Sequence, residues 1–415
     1  MLLLATLSAM TLAIAPAQEP ERKGPTDEQL SEAIEAAVAL LLERQESYEA
    51  DRPVGTLPDD ELESWQEGER ERLSELYGDK DAAEWPYEGV YRVRGGIIPS
   101  GYRVGGTSIV CDTLLRAGAG GEDAEALEEA VERSADFVLD MIKRDKGMAI
   151  GPKRGYDVRG WGHAYALQFF LTLREVGPSK LKKSSKIKGS IKELIKRLEA
   201  NQTAMGGWNY ANDRAVSPFM TGSTLLILFD AQEAGHDVDE DMVERALDAL
   251  EACRTEAVSY AYSGKARGEV LMPGSSARSA CAELALYKAG RSDADALRKA
   301  VVGFFEGYDD LLVRKSQQGT HVGKYGIAPY YFFFGHTYVA LAIEELPEAE
   351  RDAHRAELRR LIWSTRNDDG SWNDRVFPRT ASYSTAMILQ ALQAPERGAF
   401  AGWESSAKAK RKRRR

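Results

Sequence analysis

Residues 201–210 read NQTAMGGWNY, and they separate two segments of different character. Upstream, GSIKELIKRLEA (189–200) sets apolar against charged residues at helical spacing. Downstream, PFMTGSTLLILFDAQEAG (218–235) is apolar nearly all round. The first is the pattern of a helix with one face in water, the second of a helix enclosed on most sides. A Gly-Gly pair lets the chain turn sharply and pack closely, and Trp208 behind it is placed to wedge between neighbouring helices. The same order returns at STRNDDGSWND (364–374), followed by TASYSTAMILQALQAP (380–395).

Six apolar runs align on this basis, beginning at Gly106, His163, Ser223, Ser279, His336 and Ser384, with spacings of 57, 60, 56, 57 and 48 residues. Each follows a more polar helix, at 27–48, 124–143, 186–201, 239–252, 293–307 and 349–366, with N-caps expected at Thr26 and Ser292. Helix pairs repeated at a fixed period stack into a solenoid or close into a ring. Six pairs with apolar inner helices predict closure, because a ring hides every inner helix from water. The expected fold is all-α, an (α/α)6 toroid over residues 18–395 with an insertion at 49–105.

The chain has 415 residues, 43% hydrophobic and 29% charged, with a net charge of −10, which excludes the main body as a nucleic-acid binder. Two segments run against that balance: KLKKSSKIKGSIKELIKR (180–197) and AKAKRKRRR (407–415). They are solvated surface or contacts for an anionic surface, and residues 396–415 are expected as a basic disordered tail. The short apolar run at Leu2–Ile14 followed by APA (15–17) reads as a signal peptide, residues 1–17, and predicts an exported protein. Cys111, Cys253 and Cys281 imply no disulfide framework.

QTAMGGW (202–208) resembles the Q-x-x-x-G-x-W repeat of squalene and other class II terpenoid cyclases, and RNDDGSW (366–372) matches it with Arg for Gln. YSTAMILQAL and GSTLLILFDA resemble inner helices of the prenyltransferase and squalene oxidase repeat. The resemblance implies the same toroid. It does not carry the cyclase acid, because no D-x-D-D is present; the nearest strings are HDVDED (236–241), YDDLL (308–312) and NDDGSWND (367–374). The zinc site of the protein prenyltransferases would need Asp, Cys and His. Only Cys281 and His336 fall near such places, so no metal and no cofactor is assigned.

Candidate chemistry lies at the mouth where the inner helices begin. GHAY (162–165) and GHTY (335–338) occupy one repeat position in units two and five, which face each other across a closed ring of six. His163, His336, Tyr165, Tyr338 and Asp157 are therefore the candidate acid–base groups. The histidines equally fit the role of tying neighbouring loops. Basic residues precede the inner helices at Arg103, Arg159, Arg214, Arg278, Lys324 and Arg379, either as anion ligands beside helix N-termini or as local salt bridges. Trp161, Trp208, Tyr210, Tyr331 and Trp372 supply aromatic surface for a ligand or for the core. The expected function is binding of a small apolar or anionic ligand, or a protein segment, at the mouth, without standard cyclase chemistry. The alternative is an enzyme acting on an isoprenoid or an acidic polysaccharide through His, Tyr and Arg, residue types that toroidal glycosidases and polysaccharide lyases also use.

Overall fold

The structure, a computed structural model, describes residues 24–47, 82–88, 98–118, 122–151, 158–210, 214–267, 270–317, 321–328, 331–374 and 379–405. The leader at 1–17, Asp157 and residues 406–415 lie outside the described residues. Among those described, twelve helices of thirteen or more residues alternate in the order expected: α1 (Asp27–Glu43), α2 (Ser100–Ala117), α3 (Glu122–Arg144), α4 (Arg159–Val176), α5 (Ser185–Ala200), α6 (Pro218–Glu233), α7 (Glu240–Ala252), α8 (Met272–Lys288), α9 (Ala294–Glu306), α10 (Tyr331–Ile343), α11 (Glu348–Ser364) and α12 (Thr380–Leu392). Odd-numbered helices are outer and even-numbered ones inner. A two-residue hairpin, β1 (Glu46–Ser47) with β2 (Ala83–Glu84), pairs antiparallel beside α3.

The ring is closed. Each inner helix packs on the next, and α12 packs on α2. Each outer helix backs the inner helix that precedes it: α3 on α2, α5 on α4, α7 on α6, α9 on α8 and α11 on α10. α1 completes the circle by packing on α12, and Arg44 at its end pairs with Asp369 of the last loop at 2.8 Å. The chain folds as an α/α toroid. Caps follow the sequence signals: Thr26 forms a full capping box with Gln29, whereas Asp293 rather than Ser292 caps α9. The aspartate carboxylate accepts from the Ala296 N–H, so the cap sits one residue later than expected.

Tryptophans tie outer helices to the inner helices that follow them. α5 backs α4, and Trp208 hooks it to α6. Its indole N–H donates to the Leu198 carbonyl at the end of α5 (2.8 Å), and its main-chain N–H donates to Thr221 Oγ1 in the first turn of α6 (3.0 Å). Trp372 repeats the hook between α11 and α12, through the Ile362 carbonyl (3.0 Å) and Thr385 Oγ1 (3.1 Å). Trp85 repeats it between α1 and α2, through the Leu41 carbonyl (2.7 Å) and Thr107 Oγ1 (3.0 Å). The indole bond adds a donor to a last-turn carbonyl; those of Leu198 and Ile362 also accept from the Asn201 and Thr365 main-chain N–H. Gly207 precedes the hook because a Cβ there would stand 2.8 Å from Thr221 Oγ1, and its φ of 63° suits only glycine. In the fourth unit Tyr260 takes the place, its N–H donating to Ser275 Oγ (2.7 Å) and its hydroxyl to Glu283.

These equivalences correct the register of the aligned runs. Thr107 is the second residue of the run from Gly106, but Thr221 lies two residues before Ser223. The runs from Ser223 and Ser279 were therefore read about one helical turn late.

Trp85→Ala, Trp208→Ala and Trp372→Ala should each lower stability by about 3–5 kcal/mol, the cost of emptying a buried tryptophan site. Thr221→Val, which keeps the shape and removes the acceptor, should cost roughly 1–3 kcal/mol. Urea unfolding of the variants measures both.

Candidate ligand-binding site

The bore is filled where units two and five meet. Tyr165 of α4 and Tyr338 of α10 are buried, and their hydroxyl oxygens stand 3.4 Å apart across the axis. This contact places the two G-H-x-Y stretches opposite one another, as the repeat count requires. Burial pushes both phenols above their ordinary pKa, which keeps them protonated at neutral pH.

The histidines beside them face away from any common space. His163 is fully buried; its Nε2–H donates to the Met148 carbonyl (2.8 Å) and its Nδ1 accepts from the Asn201 amide (3.1 Å). These partners select the Nε2–H tautomer and tie α4 to the loop before it and to the end of α5. His336 donates from Nδ1 to the Phe332 carbonyl (2.8 Å). Its Nε2 is buried without a hydrogen-bond partner among the described residues, with Phe304, Tyr308, Phe332 and Phe333 packed around the ring. Burial lowers its pKa to about 4. The structure thus brings the two tyrosines together and leaves the two histidines apart.

Most of the cations at this mouth are engaged. Arg103 meets Glu84, and Arg379 meets Glu46 at 2.6 Å, so both ion pairs clasp the β-hairpin to α2 and the start of α12. Burial, with Glu46 opposite in the ladder, pushes Glu84 up, and burial lowers Arg103 to about 9. Arg159 donates to the Ala149 and Gly151 carbonyls. Arg278 donates to the Tyr260, Ala261 and Gly274 carbonyls. Arg214 and Lys324 are the exposed members of the set, Lys324 standing 3.7 Å from Asp310 and 4.7 Å over the Tyr325 ring.

The aromatic residues divide into two groups. Trp161 packs with Tyr87, Tyr102, Tyr165 and Tyr383 as core; a Cβ on Gly105 would lie 2.3 Å from the Trp161 ring. Trp208 and Trp372 are the buried hooks described above. Across the ring, Tyr210 touches Phe219 and Tyr262, and Tyr262 meets Tyr331 and the exposed His321 edge-on. The Arg278 guanidinium lies 5.7 Å from both the Tyr262 and Tyr331 rings. Tyr210, Tyr262 and Tyr325 are half-buried. Tyr210 and Tyr262 meet through their hydroxyls, Tyr325 lies beside Gly274, and together they make up a partly exposed aromatic rim of the core in units three to five.

Sequence reasoning missed the other end of the ring. A cavity of about 2150 Å³ opens among the C-terminal ends of α2, α4, α6 and α8, α5 and residues 397–404. Above it, Asp112 sits inside α2, bound by Thr172, Gln168 (3.2 Å), Gln390 (3.3 Å) and Arg116 (3.1 Å). An aspartate and two glutamines inside otherwise apolar runs were the available signal. Residues 396–405, expected as the start of the tail, instead cross this end as a strap. Trp403 is buried against Phe229 and donates to the Lys288 carbonyl (3.0 Å) and Glu244 (3.0 Å). Among the described residues no three His, Cys, Asp or Glu side chains gather as a metal set, and all three cysteines are buried thiols.

No family model and no curated protein matches the sequence. Solved structures do. An unsaturated glucuronyl hydrolase from Streptococcus agalactiae is 12% identical, covering 89% of this chain and 92% of that one, with a TM-score of 0.52. A glycoside hydrolase family 76 mannosidase from Bacteroides thetaiotaomicron is 11% identical over 89% and 99%, with a TM-score of 0.51. A type II terpene cyclase from Scytonema is 17% identical over 89% and 99%, with a TM-score of 0.46. At these identities the first two show a likeness of fold alone, the α/α toroid.

The buried His336 makes stability depend on pH in a calculable direction. Above its ordinary value of 6.5 both folded and unfolded chains hold it neutral. Between 6.5 and about 4 only the unfolded chain takes up the proton, so stability falls as pH falls through that window and levels below it. The loss is on the order of 3 kcal/mol. His336→Leu should remove that part of the acid limb while keeping the neutral-pH stability within about 1 kcal/mol, because it also removes an unpaired buried nitrogen. Urea unfolding between pH 7 and 4 reads the difference.

Proposed function

We propose that this protein is a ligand-binding toroid and that its ligand, an apolar molecule with an anionic end, seats on the rim formed by Tyr210, Tyr262 and Tyr325. The observation that carries the reading is that these three rings stay half-buried at the edge of the core while Tyr165 and Tyr338 meet inside the ring. Open aromatic faces stack on apolar ligands, and phenol edges hydrogen-bond their polar ends. The exposed Lys324, 4.7 Å over the Tyr325 ring, suits the anionic end. Acid–base turnover through His163 and His336 draws no support from this geometry, since both rings are buried and turned to main-chain partners. On the leader read at residues 1–17, we place the protein outside the cytoplasm.

Calorimetry with farnesyl phosphate, oleate and uncharged farnesol tests the reading. The two anionic probes should bind and farnesol should bind more weakly. Tyr262→Ala with Tyr325→Ala should weaken binding roughly tenfold or more with unchanged thermal stability, and His163→Gln should leave affinity as it is. Binding that survives the loss of both tyrosines would overturn the rim assignment. A converted product found by mass spectrometry would overturn the binding-only reading.

A further inference from the structure

The cavity at the C-terminal end of the ring is lined by charges of both signs. One wall is α5, whose Lys188, Lys192 and Lys196 all face the cavity, are exposed and have no carboxylate partner among the described residues. They stand four residues apart, so their charges repeat at about 6 Å along the helix. The floor holds two guanidiniums. Arg116 is occupied by Asp112 (3.1 Å) and Thr172 (2.6 Å). Arg397 lies over the Phe400 ring at 4.6 Å, and its Nη2 is buried without a hydrogen-bond partner. An acidic wall comes from Glu233, Asp237 and Asp239, and Glu175, Glu404 and α5's own Glu199 add carboxylates around the rest of the lining.

The strap holds this bowl in shape. Its Ala401 N–H donates to Asp230 (2.9 Å), and Glu404 exchanges two main-chain bonds with the Gln232 amide, both 3.1 Å. The described chain therefore ends at Ser405 beside the bowl. The ten residues that follow, 406–415, contain seven Lys and Arg.

We propose that this bowl is a second binding site, separate from the aromatic rim, and that it takes an acidic oligosaccharide. The lysine row and Arg397 require an anion whose charges repeat at helical-turn spacing. The acidic wall requires hydrogen-bond donors, because carboxylates only accept. A sugar chain bearing carboxylates or sulfates supplies both, with its acid groups on the lysines and its hydroxyls on the carboxylates. A DNA strand or an inorganic polyphosphate supplies the charge and leaves the acidic wall facing more negative charge.

The test is calorimetry with a galacturonate hexamer, at two salt concentrations. Binding should weaken as salt rises. The triple variant Lys188→Ser/Lys192→Ser/Lys196→Ser, in exposed positions that leave the fold intact, should lose at least tenfold in affinity, and Arg397→Met should lose severalfold. Removal of residues 406–415 should weaken binding less than the triple change does. Tyr262→Ala with Tyr325→Ala should have no effect on the hexamer, which separates this site from the rim. Equal affinity of the triple variant and the unaltered protein would overturn the proposal. So would equal affinity for a neutral cellohexaose, or for a DNA oligonucleotide of the same charge.

Discussion

The ring depends on a single repeated joint, a tryptophan that grips two helices at once. Packing sets each outer helix mainly behind the inner helix before it, with lighter contacts of α1 on α2, α7 on α8 and α9 on α10. Trp85, Trp208 and Trp372 join an outer helix to the next inner one by giving the indole N–H to a helix-end carbonyl and the main-chain N–H to a threonine. Both bonds are buried, so each removes polar groups that would otherwise be stranded away from water. Thr221 and Thr385 also donate back to the carbonyl of the same tryptophan, at 3.3 and 3.4 Å, which fixes the loop as well as the helix. A ring whose sixth element must meet its first tolerates little angular error, and these joints set the angle at three of the six steps.

Closure then determines what the middle of the molecule can do. Six inner helices around one axis leave room for side chains and little else, and two tyrosines from opposite units meet there. Chemistry inside the ring would need a chamber at that level. The ends of the ring are where space and charge remain. At the end where the inner helices begin, the buried arginines are committed to carbonyls and to glutamates of the hairpin, and aromatic faces are what stays open. At the other end the charges are on exposed side chains, and the largest cavity among the pockets described opens between them.

The fold was legible because its signals are local and repeated. Apolar runs, Gly-Gly-Trp and the cap at Thr26 lie within a few residues of the structures they specify. Trp85 was not read as a third joint because the insertion carries it 22 residues from its threonine, against 13 for the other two. The site was legible only in part. Facing Tyr165 and Tyr338 followed from the count of six, but the partners of His163 are Met148 and Asn201, and no spacing rule points to them. The strap was hidden by its neighbours: a run of lysines and arginines beyond Ser405 makes the preceding Phe400 and Trp403 look like part of a solvated tail, although both are buried.

The two ends differ for a reason that reaches back to the backbone. Inner helices present main-chain N–H groups at one end and carbonyls at the other, so their dipoles favour anions at the first and cations at the second. Arg116, Arg174 and Lys288 stand in the last turns of α2, α4 and α8, where they answer those carbonyls. An anion at the second end must therefore be held by charge beyond what the helix ends absorb. Lys188, Lys192 and Lys196 belong to α5, an outer helix running the opposite way, and are spread along its length from the first turn past the middle. Their ammonium groups have no carboxylate partner among the described residues, at an end of the ring where the dipoles would otherwise repel the ligand. That row, and the unpaired nitrogen of Arg397 beneath it, is what makes the strapped end more than a structural floor.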